Sequence, residues 1–111
     1  MSSQTPAAEP IHVESEDQFA DLTSEGIVLV DYHADWCGPC EMLEPTIEEV
    51  AAEVEELTVL KVDVDEFQGL ADEAGVRGIP ALQFFLNGEE AERLVGVQEK
   101  EDILRVIESL R

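Results

Sequence analysis

The sequence predicts an α/β protein, a three-layer α/β/α sandwich with helices covering both faces of one sheet. Three observations lead there. Ile27-Val28-Leu29-Val30 is apolar at every position, which suits a central strand buried on both faces. Shortly after it, Met42, Leu43, Ile47, Val50, Ala51 and Val54 recur at helical spacing. Near the end, Asn87-Gly88 separates two short strand-like runs, a hairpin signal. The expected order is a right-handed βαβ start, then a helix, an antiparallel hairpin and a last helix.

Taken in order, residues 1–10 are Ser, Thr, Gln, Ala and Pro-rich and read as a flexible tail. Residues 11–111 form the one domain. Ile11-His12-Val13 is a short alternating strand with His12 facing solvent. Ser15 caps a helix whose apolar stripe is Phe19, Ala20 and Leu22, and Gly26 marks its exit. Ile27–Val30 is the central strand. The helix carrying Met42 to Val54 runs to about Glu56, with Pro45 inside it, where a missing backbone hydrogen bond should cause a kink. Its outward face is acidic: Glu41, Glu44, Glu48, Glu49, Glu53, Glu55 and Glu56. Thr58–Val64 alternates as a strand. Phe67 to Ala74 is a short helix ended by Gly75. Leu82–Leu86 and Ala91–Val95 flank the Asn87-Gly88 turn. From Glu99 onward, Ile103, Leu104, Ile107 and Leu110 make an amphipathic helix. That totals five strands and four helices.

The chemistry centres on Trp36-Cys37-Gly38-Pro39-Cys40. Both cysteines of the chain are here, where a strand gives way to a helix. Unpaired N–H groups and the positive dipole end at a helix start favour a thiolate over a thiol. The two-residue spacer lets Cys40 close a disulfide onto Cys37. Gly38 permits the tight turn, and Pro39 stiffens it and fits a first helical turn. A zinc site needs four ligands, and only His12 and His33 accompany the two cysteines, so no metal is expected. A purely structural disulfide is disfavoured because so short a loop constrains the unfolded chain little. A redox dithiol is the preferred reading.

The segment Val30-Asp31-Tyr32-His33-Ala34-Asp35-Trp36-Cys37-Gly38-Pro39-Cys40 resembles the active-site segment of thioredoxins. The resemblance continues through Lys61-Val62-Asp63-Val64-Asp65, Val76-Arg77-Gly78-Ile79-Pro80, Asn87-Gly88 and Val95-Gly96, covering about residues 11 to 111. W-C-G-P-C followed about forty residues later by G-I-P is a specific combination. It implies the thioredoxin fold, with a mixed five-stranded sheet, and protein-disulfide reduction by dithiol–disulfide exchange.

It also implies roles. Cys37 and Cys40 are the redox pair, with no bound cofactor. Asp31 is a buried carboxylate behind them, made basic by desolvation, that deprotonates Cys40. Lys61 approaches Asp31 and partly compensates it. Trp36, Ile79, Pro80 and Gly96 line the substrate site, with the peptide before Pro80 in the cis form. Without the resemblance, Asp31 could equally be a wet residue just past the strand end, and Gly78-Ile79-Pro80 an ordinary turn. Two positions depart from the family. His33 stands where an aromatic residue is common, and packs most simply as an amphipathic filler under the loop. Glu41 stands where a basic residue is common and opposes a thiolate. Tyr32 is expected in the core.

Composition sets limits on partners. The 111 residues include 27 Asp plus Glu against 6 Lys plus Arg, a formal charge of −21. No Lys or Arg occurs before Lys61. Nucleic acid and anionic membranes are therefore excluded as partners. No run reaches the length a membrane helix needs. The acidity, spread over most surface segments, suits a salt-rich cytoplasm in which repulsion is screened; steering of basic partners is the competing reading. Residues 1–10 show no export signal, and catalytic-looking cysteines without one point to the reducing cytoplasm. Expected partners are a thioredoxin reductase and disulfide-containing proteins, acting on a monomer. Two alternatives remain: a disulfide isomerase or oxidase, against which Gly38-Pro39 argues, and a thioredoxin-fold assembly subunit, against which the intact cysteine pair argues.

Overall fold

A computed structural model describes residues 9–111; all but the last two residues of the expected tail lie outside that range. Five strands and four helices follow in the order β1 (Ile11–His12), α1 (Glu16–Leu22), β2 (Ile27–His33), α2 (Gly38–Glu53), β3 (Leu57–Asp63), α3 (Gln68–Ala74), β4 (Ala81–Leu86), β5 (Glu89–Val95) and α4 (Lys100–Leu110). They form one mixed sheet in the order β1-β3-β2-β4-β5. β1, β3 and β2 run parallel, whereas β4 is antiparallel to both β2 and β5.

Alternation along the strands sorts side chains into two cores. On one face Leu29, Val59, Leu82 and Phe84 meet Leu43, Ile47 and Val50 of α2 and Ile103 and Ile107 of α4. On the other, Val28, Val30, Tyr32 and Val62 meet Leu70 and Ala71 of α3, with Phe19 and Leu22 of α1 packed against them. Tyr32 is fully buried, and its hydroxyl donates to Gln83 Oε1 at 2.6 Å. Each large aliphatic side chain so buried contributes about 1.5–3 kcal/mol.

Local signals held where they satisfied a backbone group. The Ser15 hydroxyl accepts from Gln18 N–H at 3.0 Å and starts α1. Gly75 caps α3 in the left-handed conformation. Asn87 and Gly88, both with positive φ, turn β4 into β5. Elsewhere the structure differs from expectation. α1 ends at Leu22, not at Gly26. Thr23 caps it, because its N–H and hydroxyl both reach Phe19 O. Gly26 instead opens β2 and is fastened to Asn87, giving its N–H to the Asn87 side chain and accepting Asn87 N–H. Ala20 is exposed and leaves the stripe to Phe19 and Leu22. Met42 also leaves its expected core face; it is 70% exposed while Leu43 beside it is buried. α2 stops at Glu53, where Val54 turns extended. Pro45 lies within α2, and the helix continues on both sides of it.

Candidate active site

β2 does not stop at Val30. It continues through Asp31 and Tyr32 to His33, so Asp31 is a strand residue, paired in register with Lys61 of β3 and Leu82 of β4. Its side chain lies on the same side of the sheet as Leu29, beneath the start of α2. That placement removes it from water: Asp31 is 1% exposed. Lys61, itself 4% exposed, donates to Asp31 Oδ2 at 3.3 Å. Asp31 Oδ1 has no hydrogen-bond partner among the described residues. Burial raises the Asp31 carboxyl above the ordinary range, and Lys61 pulls it only partly back.

Cys37 sits at the cap position of α2, with Gly38 and Pro39 in the exposed first turn. The Cys40 N–H donates to Cys37 Sγ at 3.2 Å, so the helix start already offers a donor to that sulfur. Cys37 and Cys40 are joined as a disulfide, with Cα atoms 5.3 Å apart. Both are buried in this oxidised state, packed with Ala34, Val64 and Ile79. The disulfide and the facing loop cover Cys37.

That facing loop is Gly78-Ile79-Pro80, and the Ile79–Pro80 peptide is cis. The Ile79 carbonyl oxygen lies 3.9 Å from Cys37 Sγ. Gly96, at the end of β5, donates its N–H to Pro80 O at 2.8 Å. A Cβ at Gly96 would meet no atom of the described residues beyond its chain neighbours within 4 Å, and its φ of 93° suits glycine. The surface above it is therefore open to an incoming backbone. Trp36 flanks the pair and is 69% exposed. Its indole N–H donates to Asp65 Oδ2 at 2.8 Å, which ties it to the loop after β3.

All the expected site residues thus converge, in two tiers. Trp36, Cys37, Ile79, Pro80 and Gly96 form the outer tier, and Cys40, Asp31 and Lys61 the inner one. Asp31 makes no direct hydrogen bond to Cys40. A cleft of about 210 Å³ opens beside Cys40, lined by Lys61, Glu44, His33 and His12. His33 is half-buried; burial lowers its pKa, and its ring meets the His12 ring edge-on at 6.4 Å.

Three residues of the site escaped sequence reading. Asp65 positions Trp36, and Asp63 shapes the loop by accepting Asp65 N–H at 2.9 Å; an Asp two residues ahead of another at a strand end was the available signal. Glu44, assigned to the outward face, lies 3.5 Å from Lys61 Nζ. Its position one helical turn after Cys40 was the clue.

The thioredoxin family model matches residues 10–109. A thioredoxin from Chlamydia muridarum is 44% identical over 97 residues, which is 87% of this chain and 95% of the relative. A thioredoxin from Rickettsia felis is 43% identical over 84 residues, 75% of this chain and 80% of that one. Among solved structures, a mutant thioredoxin from Halobacterium salinarum superposes with a TM-score of 0.91 at 43% identity, covering 97% of this chain and 96% of that one. A Malassezia sympodialis thioredoxin gives 0.82 at 33% identity, covering 91% and 93%. The chain belongs to the thioredoxin family and is a protein-disulfide oxidoreductase working by dithiol–disulfide exchange through its C-G-P-C pair.

Proposed function

We propose that Cys37 is the attacking sulfur and Cys40 the resolving one, with Asp31 as proton acceptor. In the reduced protein, the Cys37 thiolate attacks one sulfur of a substrate disulfide. A Cys37–substrate disulfide forms, and the other substrate sulfur leaves as thiolate and takes a proton from water. Cys40 then gives its proton to Asp31 by way of water and attacks Cys37 Sγ. The second substrate sulfur leaves, and the Cys37–Cys40 disulfide remains. Two electrons pass to substrate, which is why the sulfurs alone suffice as cofactor.

The observation that carries this order is the position of Cys37. It caps α2, receives the Cys40 N–H, and faces the Ile79–Pro80 loop. Cys40 lies one step inside, beside the cleft of Lys61 and Glu44. Trp36, Ile79, Pro80 and Gly96 are assigned to substrate docking, in which an extended peptide runs along the loop; exposed Val95 and Val97 flank Gly96 and extend that apolar rim. Residues 11–111 act as one domain, a monomer, recharged by a thioredoxin reductase and serving thiol homeostasis in a salt-rich cytoplasm. No helix among the described residues is long and apolar enough to cross a membrane. The acidic surface and the halobacterial likeness support the salt-adapted setting.

The test is a disulfide-reduction assay in molar KCl. Wild type should reduce a protein disulfide, Cys37→Ser should not, and Cys40→Ser should accumulate a mixed disulfide seen as a mass increase. Normal turnover by Cys40→Ser would reject the two-step order. A redox titration more oxidising than that of a reductant would favour the isomerase alternative instead.

A further inference from the structure

One ammonium serves two carboxylates beside the resolving cysteine. Lys61 Nζ lies 3.3 Å from Asp31 Oδ2 and 3.5 Å from Glu44 Oε2. Lys61 and Asp31 are both buried, whereas the Glu44 side chain is 48% exposed. Glu44 and Cys40 are one turn apart on the same face of α2 and line the same cleft.

We propose that Glu44 is a positioning residue for proton transfer from Cys40: by holding the other side of the Lys61 ammonium, it keeps Asp31 from being fully neutralised and so keeps it basic. The inference rests on the reading of Asp31 as proton acceptor. A lone Lys61–Asp31 pair would stabilise the ionised carboxylate and weaken it as a base. With Glu44 in contact, the three side chains sum to one negative charge. The ammonium's field is divided, and a proton on Asp31 relieves the excess. Direct repulsion from Glu44 also favours the protonated form, though it is the smallest of the influences on Asp31.

The other charged groups around the cleft do not share this position. From β1 and the residues before it come His12 and Glu9; from β2 and its loop, His33 and Asp35; from β3, Asp63; from α2, Glu41 and Glu48. None of the carboxylates among these lies within 4.0 Å of Lys61 Nζ. Burial and Lys61 both lower the His33 pKa, which favours its neutral form. In molar salt the Debye length falls to about 3 Å. The rim carboxylates are then screened, while a contact with a buried ammonium persists.

The experiment is a carbon-13 titration of the Asp31 side-chain carboxyl in the reduced protein, in molar KCl, for wild type, Glu44→Gln and Glu48→Gln. Glu44→Gln should move the Asp31 midpoint to lower pH, and Glu48→Gln should leave it in place. The acid limb of the pH profile for disulfide reduction should move the same way in Glu44→Gln, and the plateau rate should fall. An unmoved midpoint in Glu44→Gln, or an equal displacement in Glu48→Gln, overturns the inference. A moved midpoint with an unmoved rate profile also overturns the positioning role. The rate of Asp31→Asn then separates the two causes, since full activity there means that the reading of Asp31 as base failed first.

Discussion

A buried carboxylate with one oxygen unpaired is expensive to keep. Among the described residues Asp31 has a single donor, Lys61, and that donor is shared. The folded state raises its pKa above the unfolded value. Over the window between the two, the folded protein therefore binds a proton that the unfolded chain has released, and stability falls as pH rises. The contribution is fully present below the unfolded value and is lost as pH climbs through the folded one. Asp31→Asn escapes that loss. It should match wild type in stability at about pH 4 and exceed it by about 1–3 kcal/mol at about pH 8, the scale of one poorly satisfied buried group. Urea unfolding at fixed molar KCl measures the difference, and a gap that does not widen with pH would mean that the carboxyl is not buried in its ionised form. The same variant should reduce disulfides about 100-fold more slowly, a typical loss for a general base. Gaining stability while losing rate is the mark of a group retained for chemistry.

At the scale of elements, the segments whose signals are local were legible in the sequence alone. The Ser15 cap, the Gly75 stop, the Asn87-Gly88 turn and the strand-to-helix step at Cys37 each satisfy or release backbone groups within a few residues. What escaped depends on how elements meet. Glu44 faces Lys61 only because α2 crosses the β2–β3 pair at the register that sets Asp31 against Lys61. Trp36 and Asp65 are 29 residues apart and meet only through two loops. Met42 fits the apolar period of α2 on paper, but Leu43, Ile47 and Val50 set the phase and turn it outward. The phase yields a sharp contrast between neighbours. Leu43→Ala should cost about 2–5 kcal/mol by leaving a cavity between α2 and the sheet. Met42→Ala, one residue away, should stay within about 0.5 kcal/mol. Paired denaturation curves decide it, and comparable losses from the two would place the buried face of α2 elsewhere.

Across the whole molecule, charge is the dominant unbalanced quantity. Among the described residues, eight of the 27 Asp and Glu side chains contact five of the six Lys and Arg side chains, leaving 19 with no such cation within 4.0 Å, and Arg77 has no ion pair there. Two like charges 10 Å apart in water repel by about 0.4 kcal/mol, and the repulsion extends to a Debye length of about 10 Å at 0.1 M salt. With a radius of gyration of 12.9 Å, many such pairs fall within that range. At 1 M the length falls to about 3 Å and most of them vanish. If net repulsion costs the fold about 2 kcal/mol, raising KCl from about 0.05 M to about 2 M should lift the melting temperature by about 10 °C. A variant with the exposed and unpaired Glu48, Glu55, Glu66 and Glu89 changed to Gln separates repulsion from other effects of salt. It should melt above wild type at low salt and converge with it in concentrated KCl, since the substitution and the salt remove the same interaction. Circular dichroism melts of both proteins across the series are the measurement. A flat wild-type melting temperature over that range would detach the acidity from salt adaptation and return it to the steering of basic partners, where association rates rather than stability would carry the salt dependence.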